Sequence, residues 1–78
     1  MNIEDKVKKL IAEKLTVDPA DVVPHASLID DLGADSLAIV EMIMTMEEVF
    51  DIEVSDEDAE QLRTVENAIN YIRKKTEA

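Results

Sequence analysis

The chain has 78 residues and a formal net charge of −11; 46% of it is hydrophobic and only 3% aromatic. That composition describes one small domain with an aliphatic, methionine-containing core, and it excludes a disordered acidic tail. The charge disfavours nucleic acid and anionic lipid as partners, no apolar run is long enough to cross a membrane, and the absence of cysteine leaves the chain without a thiol of its own.

The N-terminal residues lack the basic, then apolar pattern of a signal peptide, so a cytoplasmic location is expected. Asn2 stands where it can cap a first helix, with Glu4 and Asp5 in the opening turn. Ile3, Val7, Leu10, Ile11 and Leu15 recur at helical steps and define its apolar face. Lys6, Lys8, Lys9 and Glu13 fall on the wet side. From Thr16 to Asp35 the chain is punctuated by Pro19, Pro24 and Gly33. A structureless loop of that length is unusual in a compact domain, so Val22, Val23, Leu28, Ile29 and Leu32 are expected to pin it to the core. Ser27 followed by Asp30 can cap a single helical turn there. Residues 18–60 hold fourteen acids and no Lys or Arg, a block that attracts basic proteins as well as conferring solubility.

The second helix is predicted from about Ser36 to Phe50, capped by Asp35. Ser55 to Asp58 repeats the capping pattern before a short helix in "DEDAEQL". Thr64 opens a last helix in which Val65, Ala68, Ile69 and Ile72 share a face, with Arg73, Lys74 and Lys75 near its negative end. "DIEVS" alternates but has no partner segment to pair with. The expected fold is therefore all-α: a small four-helix bundle of three main helices and a short one, with a long first loop, in a single domain over residues 1–78.

Stepped at about 100° per residue, the second helix divides unequally. Ile39, Met42, Ile43, Met46, Val49 and Phe50 form a broad arc expected to face the core. Leu37, Val40 and Met44 form a narrower stripe, with Glu41, Thr45 and Glu48 on one border, Glu47 on the other, and Ser36 at its head. Either the bundle buries both arcs, or the stripe is an exposed apolar strip edged by carboxylates, as a protein-docking surface would be. The methionines read first as flexible core filler, although a soft core can also part to admit an apolar guest. Ser36 is an ordinary first-turn serine on one reading. On the other it offers a hydroxyl where a helix dipole would favour an attached phosphate, against the repulsion of Asp30, Asp31 and Asp35. Spacing does not decide between the two, and no base lies beside Ser36 in sequence to activate it.

"DLGADSL", followed in order by "VEMIMTMEEVFDIEVSDEDAEQLRTVENAINYI", closely resembles the free-standing, bacterial-type members of the acyl carrier protein family, over essentially the whole chain. The resemblance implies that Ser36 receives 4′-phosphopantetheine from coenzyme A, through a partner transferase that brings its own catalytic machinery. It also implies that the arm supplies the missing thiol, on which acyl groups ride as thioesters in fatty acid or related lipid or polyketide biosynthesis. Met42 and Met46, with Phe50 and Ile69, then gain weight as the wall of an acyl cavity. The face offered to the transferase, acyltransferases, ketosynthases and reductases with basic patches maps onto Asp35, Leu37, Val40, Glu41, Met44, Glu47 and Glu48. On this reading the chain is a monomeric carrier with no catalytic residue, no nucleic acid partner and no membrane insertion. The calcium-hand pattern is not satisfied, so no metal site is expected and any divalent binding should be loose.

The departures from the family pattern are specific. Members serving fatty acid synthesis usually carry an acid where this chain has Ala38; Ile39 and Val49 replace polar and acidic residues, and Ser55 stands where proline is common. A specialised carrier for another lipid or secondary pathway fits about as well as a housekeeping one. Aminoacyl or peptidyl carriers, and a plain acidic adaptor without a prosthetic group, stay open as alternatives. An enzyme would have to use the single histidine, His25, with Ser36 and an acid.

Overall fold

Every helix begins where a polar side chain takes up a backbone N–H that the helix itself leaves unpaired. The computed structural model describes residues 2–77. Helix α1 (Ile3–Leu15) is capped by Asn2, whose Oδ1 accepts the Asp5 N–H at 2.8 Å. Helix α2 (Ser36–Phe50) is capped by Asp35, which accepts the Ala38 N–H at 2.8 Å. Helix α3 (Asp56–Glu60) starts at Ser55, whose Oγ accepts the Asp58 N–H at 3.1 Å. Before helix α4 (Val65–Glu77) the exchange is reciprocal: Thr64 Oγ1 accepts the Asn67 N–H and Asn67 Oδ1 accepts the Thr64 N–H, both at 3.1 Å.

Two of the helices also stop alike. Thr16 after α1 and Asp51 after α2 take left-handed backbone angles, with φ of 55° and 53°. The following N–H groups, of Val17 and Ile52, reach back to the carbonyls of Ala12 and Glu47 at 3.0 and 3.2 Å.

Helix α1 packs against both α2 and α4, so the core forms along those two seams. Val7 and Ile11 of α1, Met42 and Met46 of α2, and Val65, Ala68 and Ile72 of α4 are sealed from solvent or nearly so. The short α3 buries none of its own residues. It is tied down at its edges, by buried Leu62 on its exit and by a hydrogen bond from α4 to Asp58. No strand forms among the described residues; Ser27 and Thr64 make one isolated bridge. The result is the all-α bundle that the periodicity and caps predict, with three longer α-helices and one short one among the described residues.

The long connection is ordered by contacts that are distant in sequence. It contains a 3₁₀ turn, Pro19–Asp21, and buries Val22, Leu28 and Leu32. The Leu28 N–H donates to the Arg63 carbonyl at 2.9 Å, while the Val65 and Glu66 N–H groups donate to the carbonyls of Ala26 and Pro24 at 3.1 and 2.8 Å. Ser27 Oγ accepts the Asp30 N–H at 3.1 Å, as expected, but around a turn rather than a helix, and it is Asp31 and not Asp30 that accepts the Ser27 N–H, at 2.7 Å.

Three expectations of burial fail. Ile29 is 59% exposed, because the turn that sinks Leu28 and Leu32 leaves the residue after Leu28 on its outer side. Val23 is exposed beside buried Val22, as neighbours in an irregular segment point apart. Val49 is 56% exposed; it sits at the edge of the core arc, in the last turn of α2.

Candidate functional site

The segment before α2 is built to present one hydroxyl. Leu32 and Ala34 are buried and anchor it, and between them Gly33 takes φ of 72°, a conformation that side chains resist. The Ala34 N–H donates to the Leu28 carbonyl at 2.9 Å, which closes the loop. Asp35 then swings out in an extended conformation to cap the helix, and Ser36 follows as the first residue of α2, exposed to solvent. Among the described residues no side chain hydrogen-bonds its hydroxyl: Asp30 and Glu60 share the groove that Ser36 borders, and His25 is exposed in the long loop and does not line it. The geometry therefore gives no support to a Ser-His-acid enzyme.

That groove is open and about 640 Å³ in volume. Ile39, Val40 and Ile43 of α2 form one wall; Ile29, Ala59 and Leu62 add apolar surface from the long loop and from α3 and its exit. Ser27, Asp30, Glu60 and Arg63 complete the lining. An exposed hydroxyl at a helix N-terminus, beside an apolar groove, fits a phosphate-linked arm: the helix dipole favours the phosphate and the groove can receive the remainder of the arm. The nearby carboxylates Asp30 and Asp35 oppose that charge.

The two readings of α2 are separated by exposure. Leu37, Val40 and Met44 are 65%, 52% and 55% exposed, so the stripe lies outside the core. Asp35, Glu41 and Glu48 are exposed around it. Glu47 differs: it is half-buried, and its carboxylate accepts the Val54 N–H at 3.0 Å, bracing the segment between α2 and α3. Met42, Met46 and Ile69 lie in the closed core and Phe50 is half-buried against it; none of these four is among the groove-lining residues. Among the described residues no group of three or more His, Asp or Glu side chains could hold a metal ion, and no helix is long and apolar enough to cross a membrane.

Sequence reasoning missed the residues that position α3. The Tyr71 hydroxyl on α4 donates to Asp58 Oδ2 at 2.7 Å, joining the short helix to the long one. Burial, and then the Asp58 carboxylate with a smaller push from Glu47, drives the phenol's pKa up to about 12. Lys75 lies 5.6 Å from the Tyr71 ring centroid, within cation–π range. Tyr71 is a half-buried aromatic off the apolar face of α4, and a polar partner for its hydroxyl was the one clue available. Ile29, Ala59, Leu62 and Arg63 were likewise missed as groove residues, since separate places in the chain supply them.

A family profile described as a phosphopantetheine attachment site matches residues 5–72. The chain is 66% identical over 77 residues to an acyl carrier protein of Desulforapulum autotrophicum, a match covering 97% of this chain and all of that one. It is 58% identical over 78 residues to an acyl carrier protein of Bdellovibrio bacteriovorus, covering both chains completely.

Proposed function

The chain belongs to the acyl carrier protein family, and from that premise we propose that Ser36 is the residue that takes the phosphopantetheine arm. The protein is a carrier and not a catalyst, and 4′-phosphopantetheine is its covalent prosthetic group. The observation that carries the Ser36 assignment is its place: an exposed hydroxyl, at the head of α2, bordering the apolar groove. When attached, the group supplies the thiol that the cysteine-free chain lacks, and acyl groups are held on it as thioesters. In the loading step the Ser36 Oγ–P bond would form as the P–O–P bond of coenzyme A breaks, with adenosine 3′,5′-bisphosphate as the leaving group. On this reading the serine proton passes to a base that the transferase supplies.

The groove wall of Ile39, Ile43, Ala59 and Leu62 shelters the near part of an acyl chain. Met42, Met46, Phe50 and Ile69 are reached only by parting the packed bundle, a movement to which flexible methionines are suited. Leu37, Val40 and Met44, edged by Asp35, Glu41 and Glu48, dock basic faces of the transferase and of acyltransferases, ketosynthases and reductases in fatty acid or related synthesis. Glu47 joins that face with only part of its carboxylate, the rest being held by Val54. The carrier acts in the cytoplasm, as a monomer.

Intact mass after incubation with coenzyme A and a phosphopantetheinyl transferase tests the central assignment. The wild type should gain the mass of one phosphopantetheine and Ser36→Ala none. A variant that still loads would move the attachment elsewhere.

A further inference from the structure

Resting on the Ser36 assignment, we propose that Arg63 pairs with the phosphodiester of the attached arm and so lays the arm along the groove between α2 and α3. Arg63 is the first Lys or Arg after Lys14, and among the described residues it is the sole cation lining the groove that Ser36 borders. Asp30 and Glu60 line the same groove, and Asp35 adjoins the serine in sequence, so a phosphodiester fixed at Ser36 adds its negative charge to an already acidic rim. A guanidinium is the group that offsets it, since its fork of N–H donors matches two phosphate oxygens.

Arg63 is held in a way that leaves this end available. Its N–H donates to Asn67 Oδ1 at 3.2 Å and to the Gln61 carbonyl at 3.0 Å, and its carbonyl accepts the Leu28 N–H at 2.9 Å. The backbone is thus fixed where the long loop meets the exit of α3. Nε donates to the Glu60 carbonyl at 3.4 Å, which turns the side chain over the end of α3. The ion pair found among the described residues, Lys8 with Glu4, does not involve it. An arginine whose backbone is anchored, and whose terminal nitrogens carry no ion pair among the described residues, is placed to act on a charge that arrives later.

The test compares apo and loaded protein by NMR, in the wild type, Arg63→Gln and Arg63→Lys, with intact mass recorded for each sample. Loading the wild type should shift the Arg63 Nε–Hε resonance. The ³¹P resonance of the arm should move in Arg63→Gln toward its position in free phosphopantetheine, with Arg63→Lys between, because lysine keeps the charge without the fork. Salt near 1 M should carry the wild-type ³¹P signal the same way, since an exposed pair is screened over roughly 3 Å at that ionic strength. The apo variants should keep the wild-type amide pattern, because the bonds that hold this segment come from the backbone. A mass gain that Ser36→Ala abolishes, with an unmoved Nε–Hε signal and the same ³¹P position in wild type and Arg63→Gln, overturns the pairing alone. No mass gain in the wild type, or a gain that persists in Ser36→Ala, overturns the Ser36 assignment and the pairing with it.

Discussion

Asp35 and Ser36 stand next to each other with opposite relations to the head of α2. The carboxylate caps the helix by taking the Ala38 N–H, and in doing so it places a negative charge beside the Ser36 hydroxyl. The cap was legible from residue type and position alone. The use of Glu47 was not, because its partner is the backbone of Val54, seven residues on in a segment without periodicity. Nor was the Tyr71–Asp58 hydrogen bond, which joins α4 to a helix too short to show a face of its own. That bond makes a prediction. With its pKa raised to about 12, the folded phenol keeps its proton where an unfolded tyrosine, titrating near 10, has lost it. Tyr71 therefore contributes stability that is fully present below about pH 10 and is lost as the pH rises through about 12. The chain has one tyrosine and no tryptophan, so tyrosinate absorbance reports this side chain alone. Its titration midpoint should lie well above 10, and Asp58→Asn should lower it without restoring the ordinary phenol value, because burial is the larger cause. A wild-type midpoint near 10 would mean that the bond does not persist in solution.

At the scale of the element, the long helices were legible because each carries a cap, a spaced apolar face and a stop. The stops were less so, since nothing in the sequence marks Thr16 as left-handed. A β-branched residue there is strained, whereas aspartate, as at position 51, visits that region more readily. Thr16→Gly should thus raise stability by about 0.5–1 kcal/mol in urea unfolding, the relieved strain exceeding the entropy that glycine adds to the unfolded chain. Asp51→Gly should gain less. The two faces of α2 make a sharper contrast. Both are apolar in sequence, and it is packing, against α1 above all, that separates the sealed arc from the open stripe. Replacing Val40 and Met44 by serine removes exposed surface, so stability should change by less than about 0.5 kcal/mol per site. Ile43→Ala, in the buried arc, should cost about 2–4 kcal/mol. Partner binding should follow the reverse order, with the stripe variants losing affinity for the transferase. Parallel chemical denaturation and transferase titrations separate the two faces.

The whole molecule carries its charge against itself. Fourteen acids fall between residues 18 and 60 without a Lys or Arg among them, while the ion pair found among the described residues lies in α1, outside that block. The fold confines this charge within principal extents of 30 × 27 × 19 Å. At 0.01 M salt the screening length is about 30 Å, so nearly every acid feels the others; at 0.1 M it is about 10 Å and only neighbours do. Melting temperature should therefore rise with salt over this range, by several degrees for each kcal/mol of repulsion relieved in a domain of this size. The same field would draw a basic partner toward the exposed stripe of α2, so on the proposed docking role stability and association pull in opposite directions. Reversing Glu41 and Glu48 to lysine puts both to the test in one protein. Each reversal should stabilise the fold at low salt by roughly 0.5 kcal/mol, because it removes one repelling charge and adds a compensating one. Each should also slow loading by the transferase, which meets a less acidic face. Both differences from wild type should shrink together as salt is added. If the melting gain persists at high salt, the added lysines stabilise α2 by packing and not by relieving charge. If loading is slowed equally at every ionic strength, these acids make direct contacts with the transferase and do not steer it.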